Sequence, residues 1–203
     1  MPVPLDRLSG TLGHGQMRLD PDHRLAWKAA WWDSLTGGAL ALNITLIGPG
    51  TDLAGRVKVG PIRQQMGPVN GMLAWPLAAA IVPASDITCD LSAIIQDLTL
   101  VQYGRARSGT GNLRSGQGSC MRPGVTEKPV PVPALIVRIS PGSPDIVAVV
   151  TTRDEPEVPL VTGRLTDADR IMVTIHRAGA AMVPGMPSSS DSELDIPLAV
   201  LLQ

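Results

Sequence analysis

A chain of 203 residues with 44% hydrophobic and 17% charged side chains suits one ordinary domain and is too apolar to stay disordered. With 17 basic and 18 acidic side chains the net charge is −1, which leaves no electrostatic footprint for nucleic acid or an anionic membrane. The 19 prolines and 21 glycines cut the chain too often for a long-helix bundle.

The opening residues carry neither the basic nor the apolar region of a signal peptide, and the chain as given is expected to be soluble. Residues 31–36 predict a helix of a turn or two, stopped by Gly37-Gly38. Residues 39–47 alternate with period two. Leu40, Leu42, Ile44 and Leu46 share one strand face there, and Gly48-Pro49-Gly50 ends the strand. The apolar stretch 71–84 is too short to span a bilayer and is broken by Pro76 and Pro83; within it, 73–82 reads as a second short helix.

Residues 86–102 read as one long strand. Its apolar phase slips after Ala93 from Ile87, Cys89 and Leu91 to Ile94, Leu98 and Leu100, which a bulge would produce. Residues 104–133, rich in Gly, Ser, Arg and Pro, read as a long loop. Strands follow at 134–139, 146–152, 158–165 and 170–177, the last two joined by the turn Thr166-Asp167-Ala168-Asp169. A second loop at 183–192 precedes a closing strand with Leu194, Ile196 and Leu198, placed at a sheet edge because Pro197 has no N–H to donate. The expected fold is mainly β: one continuous antiparallel sheet with one or two short helices, in a single domain over 1–203.

Candidate chemistry is sparse. His14, His23 and His176 have no metal-site spacing, and Asp20-Pro21-Asp22-His23 reads as a polar turn. Gly109-Thr110-Gly111 starts like a dinucleotide-binding loop, but Arg114 stands where the third glycine belongs. No nucleophile stands beside a base, so no catalytic set, cofactor or metal is predicted. Arg105, Arg107, Arg114 and Arg122 concentrate charge in the 104–133 loop and mark either a docking surface or a solvated loop; Tyr103 alone is too little aromatic surface for base stacking. Trp27, Trp31 and Trp32 are expected to fill the core in place of the missing Phe, the alternative being an apolar surface for lipid or a partner. The two cysteines, Cys89 and Cys120, allow two readings: a structural disulfide in an oxidising compartment, or two separate thiols.

An ordered series of short motifs carries a family resemblance. Ser9-Gly10-Thr11-Leu12-Gly13-His14-Gly15 is followed by Leu25-Ala26-Trp27, then Gly38-Ala39-Leu40-Ala41-Leu42. Leu73-Ala74-Trp75-Pro76-Leu77 and Pro159-Leu160-Val161-Thr162-Gly163-Arg164-Leu165 come later. The series resembles the type II secretion system protein N (GspN) family over most of the chain. Gly13 stands where that family usually has Trp, Trp31-Trp32 is an extra pair, and the family's N-terminal membrane helix is missing from this sequence. The resemblance implies a curved, AsmA-like sheet able to present an apolar groove. It implies a periplasmic, non-enzymatic accessory of type II secretion, held at the inner membrane and partnered by the secretin or the inner-membrane connector, with lipid as the alternative ligand. An oxidising periplasm in turn favours a Cys89–Cys120 disulfide. Trp31, Trp32, Arg105, Arg107 and Arg114 are the candidate contact residues.

Overall fold

Alternating apolar and polar side chains run along most strands, and short turns return each strand beside the one before it. The computed structural model describes residues 8–19, 21–75, 87–104, 106–122, 124, 128–142, 145–182 and 189–197. In chain order the elements are β1 (Leu8–Gly10), β2 (His14–Arg18), β3 (Arg24–Ala29), α1 (Trp31–Gly37), β4 (Leu40–Gly48), β5 (Thr51–Val59) and β6 (Arg63–Ala74). Then come β7 (Thr88–Asp90), β8 (Ser92–Tyr103), β9 (Ala106–Ser115), β10 (Gly118–Met121), β11 (Val130–Val132) and β12 (Leu135–Pro141). Last are β13 (Ile146–Thr152), β14 (Pro159–Leu165), β15 (Arg170–Ile175), α2 (Arg177–Ala180) and β16 (Ser192–Pro197). Thirteen strands form one open antiparallel sheet in the order β1-β2-β3-β4-β5-β6-β8-β9-β12-β13-β14-β15-β16.

The remaining strands, β7, β10 and β11, form a three-stranded sheet in the order β11-β10-β7. Each is the continuation of a central strand past a short break: β7 runs into β8 through Leu91, β9 into β10 through Gly116-Gln117, and β11 into β12 through Pro133-Ala134. The spatial order of the small sheet repeats that of β8, β9 and β12. Cys89 and Cys120 stand directly opposite each other in β7 and β10 and are joined by a disulfide, with 4.1 Å between their Cα atoms. At the joint, the Leu135 N–H donates to Ser115 Oγ at 3.1 Å.

A line of irregularities crosses the middle strands. Register shifts occur between Ala54 and Val57 in β5, Met66 and Val69 in β6, and Gln96 and Thr99 in β8. Gly67 takes φ +118° there, and Asp97 takes φ +51° with its N–H donating to Asn70 Oδ1 at 2.8 Å. A Cβ on Gly67 would stand 2.4 Å from the Leu98 carbonyl oxygen, so only glycine fits that crease. Aligned bulges bend a sheet along one line.

Several sequence expectations change. The strand read over 86–102 is two strands, and its slip lies at Asp97, not after Ala93. Ile95 therefore points inward at 5% exposure while Ile94 is 53% exposed. The loop read over 104–133 contains β9, β10 and β11. Leu73 and Ala74 close β6 and are not helical; residues 76–82 of that expected helix lie outside the described residues. Arg177 opens α2 and does not extend β15, and Ser192 opens β16. Residues 183–188 and Leu198 lie outside the described residues. The helix at 31–36 forms as α1, ended by Gly38 in the left-handed conformation. The four later strands form near their expected bounds, and β16 is an edge strand.

Candidate functional site

Residue pairing across the sheet puts like chemistry in line. One row, read from cross-strand partners, runs Met17, Leu25, Leu46, Leu53, Gly71, Ile95, Leu113, Val137, Val150, Val161, Ile175. Every member is apolar or glycine, from β2 to β15. A second row on the same face pairs Leu42 with Val57, Val57 with Met66, Met66 with Leu100 and Leu100 with Gly109. Trp27 lies on this face over Gly15, where a Cβ would stand 2.2 Å from the indole, and its Nε1–H donates to the Thr11 carbonyl at 3.0 Å.

This face is concave. Val57, Met66, Leu100, Ile146 and Leu165 line one cavity of about 340 Å³. In a flat sheet β5 and β14 would lie roughly 29 Å apart, at about 4.8 Å per strand step. A cavity about 7 Å across can hold residues of both only if the sheet curls around it. Arg107 fastens the curl. Its guanidinium pairs with Asp169 and donates to the Thr166 carbonyl at 3.4 Å, tying β9 to the β14–β15 turn.

Among the described residues, no element lies over the trough. The helices are placed toward the opposite face: Asp33 of α1 pairs with Arg56 of the outer row, and α2 packs on β14 beside the outward Leu160. Among the described residues, most inner side chains stay only partly covered and no large side chain is completely buried. Polar groups on this face gather at the α1 end, where Gln64 faces Gln102 and Gln102 faces Arg107.

Of the expected contact arginines, Arg107 and Arg114 do not share one patch. Arg107 points into the trough and is 16% exposed, Arg114 lies on the outer face near the disulfide end, and Arg105 is outside the described residues. The tryptophans divide. Trp27 fills part of the inner face, but Trp31 and Trp32 are 61% and 83% exposed and so are not core.

One arrangement escaped the sequence reading. His176 Nδ1–H donates to Asp191 Oδ2 at 3.0 Å, which leaves Nε2 to accept from the Thr162 hydroxyl at 3.0 Å. Asp191 Oδ1 accepts the Arg177 N–H at 2.9 Å. That backbone bond, then the His176 ring, holds the Asp191 carboxyl below its ordinary range. The order hydroxyl–imidazole–carboxylate resembles a catalytic relay. Thr162, however, is a mid-strand residue of β14, and the Arg177 N–H that could serve as an oxyanion donor is already used by Asp191. The relay's geometry accounts for a clasp: it ties β14, the start of α2 and the approach to β16. The sequence signal was absent because Thr162 and Asp191 lie 29 positions apart in the chain.

No protein-family model, no curated protein and no solved structure matches this chain.

Proposed function

We propose that the chain is a non-enzymatic envelope protein whose inner face holds the apolar part of a lipid or similar long-chain amphiphile. The observation that supports this is the row of apolar residues and one glycine from Met17 to Ile175, on the face that curls between β5 and β14, with no element over it among the described residues. An acyl chain asks for no hydrogen bonds, and this row offers none. A polar head suits the corner where Gln64, Gln102 and Arg107 meet. At about 0.8 kcal/mol per buried methylene, half of a roughly sixteen-carbon tail contributes about 6 kcal/mol, a dissociation constant of tens of micromolar before any head-group contact.

Gly163 supplies the test. It lies on the inner face, and a Cβ placed on it would have only Ala148 within 4 Å, so a large side chain there projects into the trough and not into packed neighbours. Delipidated protein should bind a fluorescent fatty acid, and Gly163→Trp should abolish that binding without lowering the melting temperature. Binding that survives Gly163→Trp, or protein released gently from its envelope without any lipid, would overturn the proposal.

The resemblance to the type II secretion system protein N family supports a second reading: an accessory that binds the secretin or the inner-membrane connector in the periplasm. The Cys89–Cys120 disulfide favours it, since such bonds persist in oxidising compartments. So does β16, whose only strand partner among the described residues is β15, leaving an edge where a partner strand could pair. Brief crosslinking and affinity purification of the tagged protein should then recover the secretin or the connector. Recovery of lipid-transport proteins in their place counts against secretion and for the trough.

A further inference from the structure

Helix α1 is built inside out. Its polar side chains hold it to the sheet: Asp33 pairs with Arg56 at 2.7 Å, and Ser34 Oγ donates to the Ala30 carbonyl at 3.0 Å and accepts the Ala41 N–H at 2.9 Å. Its large apolar side chains face solvent, with Trp31, Trp32 and Leu35 exposed by 61%, 83% and 76%. Water-facing apolar groups on a helix anchored by its polar ones are the reverse of ordinary amphipathic packing.

Neighbouring turns at the same end of the sheet repeat the pattern. Leu12, between β1 and β2, is 83% exposed, and Ile62, between β5 and β6, is 62% exposed. Leu12 shares a hollow of about 510 Å³ with Lys28 and Trp31. Ile62 shares another of about 290 Å³ with Asp33, Lys58 and Arg63. Asp33 is the one acid within 11–14, 28–40 and 56–65, and Arg56 pairs with it. The balanced charge of the whole chain therefore hides a local excess of Lys28, Lys58 and Arg63 around the apolar rim.

We propose that this corner of the sheet, from the β1–β2 turn through α1 to the β5–β6 turn, docks on the surface of a bilayer containing anionic lipid. Trp31, Trp32, Leu35, Leu12 and Ile62 enter the boundary between head groups and acyl chains, and the three cations meet phosphates. Tryptophan beside lysine and arginine suits that boundary, where one side is apolar and the other wet. An apolar protein patch would cover the aromatics but leave the cations to be desolvated without partners; an anionic leaflet satisfies both. The net charge of −1 does not oppose this, because attraction to a charged surface acts within about one Debye length, roughly 8 Å in physiological salt.

The test is flotation of the full chain with vesicles of phosphatidylcholine, with and without a minority of phosphatidylglycerol. Binding to the anionic vesicles is expected, at least tenfold weaker without phosphatidylglycerol. Trp32→Ala with Leu35→Ala and Ile62→Ala should weaken it at least about tenfold, and Lys58→Gln with Arg63→Gln on the order of thirtyfold, at about 1 kcal/mol per cation. Melting temperatures should hold in both variants, because these side chains lie outside the sheet's inner face. The trough variant Gly163→Trp should float like the unaltered protein, so a failure of lipid binding in the trough is read separately. No flotation with anionic vesicles, or equal flotation of the variants, overturns the proposal. So does a concentration-dependent dimer that disappears in the Trp32, Leu35 and Ile62 variant, which would give the rim to a second copy of this chain.

Discussion

The two faces of the large sheet share one backbone and one hydrogen-bond register, and they differ in everything else. On the inner face the row through Leu46, Ile95, Val137 and Val161 is apolar from end to end. One residue along, the outer row is mostly polar: Gln16, Thr45, Asn70, Gln96, Asn112, Arg138, Thr162, Thr174 and Glu193, with Ala26, Ala54 and Val149 between them. A sheet of this kind ordinarily buries its apolar face against a second layer. Among the described residues the two helices lie toward the more polar side, and the apolar side is left to line a trough. Backbone pairing accounts for the sheet, and the uncovered face is what the molecule has available for a ligand.

Adjacent residues give the sharpest way to break this contrast. Ile95→Asp places a carboxylate at a position 5% exposed and should lower unfolding free energy by about 3 kcal/mol or more. Ile94→Asp, at 53% exposure, should stay within about 0.5 kcal/mol. Denaturant titration of the two variants checks this, and equal losses would mean that the faces are not distinct. Removing the disulfide with Cys89→Ser and Cys120→Ser, 31 positions apart, should cost about 4 kcal/mol in the chain-entropy model. It should leave fatty-acid binding in place, since the bond clamps the small sheet and not the trough; reducing conditions provide the same comparison without mutation.

Two inner glycines refine the picture further. A Cβ on Gly109 meets Leu100 Cδ2 at 2.8 Å and Ile146 Cγ2 at 3.0 Å, so Gly109→Val should destabilise by about 2 kcal/mol through overpacking. A Cβ on Gly163 meets nothing closer than 3.9 Å, so Gly163→Val should be neutral or slightly stabilising by thermal melting. The smallest effect belongs to the outer face. There Arg170 binds Asp195 through Nε at 2.8 Å and through its terminal nitrogen at 2.7 Å. The hydrogen bond from Arg170 lowers the Asp195 pKa below its ordinary value. A lowered carboxyl pKa contributes stability above the unfolded value, near 4, and that contribution disappears as pH falls through the folded value. Melting curves between about pH 5 and pH 2 should therefore show a shallower acid limb for Asp195→Asn than for the unaltered protein.

Much of the sheet was legible because burial on one face only imposes period two. Leu40, Leu42, Ile44 and Leu46 announce β4, and the hairpin at 166–169 announces itself through turn chemistry. Strand β9 was not legible. Its sequence, ARSGTGNLRS, carries glycines at inward positions 109 and 111, which locally read as loop residues. Only the assembled sheet shows why they are there: Leu100 and Ile146 crowd the space over Gly109, and Leu98 that over Gly111. The slip in β8 was read from the pattern of hydrophobic residues, but its place was not. Asp97 adopts a positive φ because Asn70, 27 positions away, accepts its N–H.

The exposed tryptophans show the same limit from the other side. Composition argued that a chain without Phe should bury Trp, and Trp27 does lie over Gly15. Trp31 and Trp32 do not follow it, because Asp33 and Ser34 find partners on the sheet and turn the helix outward. The sequence by itself determined a mainly β chain, its turn positions and its apolar alternation, since these follow from near-neighbour sterics and period. Tertiary structure alone decided that the alternation lines up across eleven strands, that bulges crease β5, β6 and β8 along one line, and that the two helices among the described residues take the more polar side. Those outcomes depend on which distant residues meet, and no local pattern carries that information.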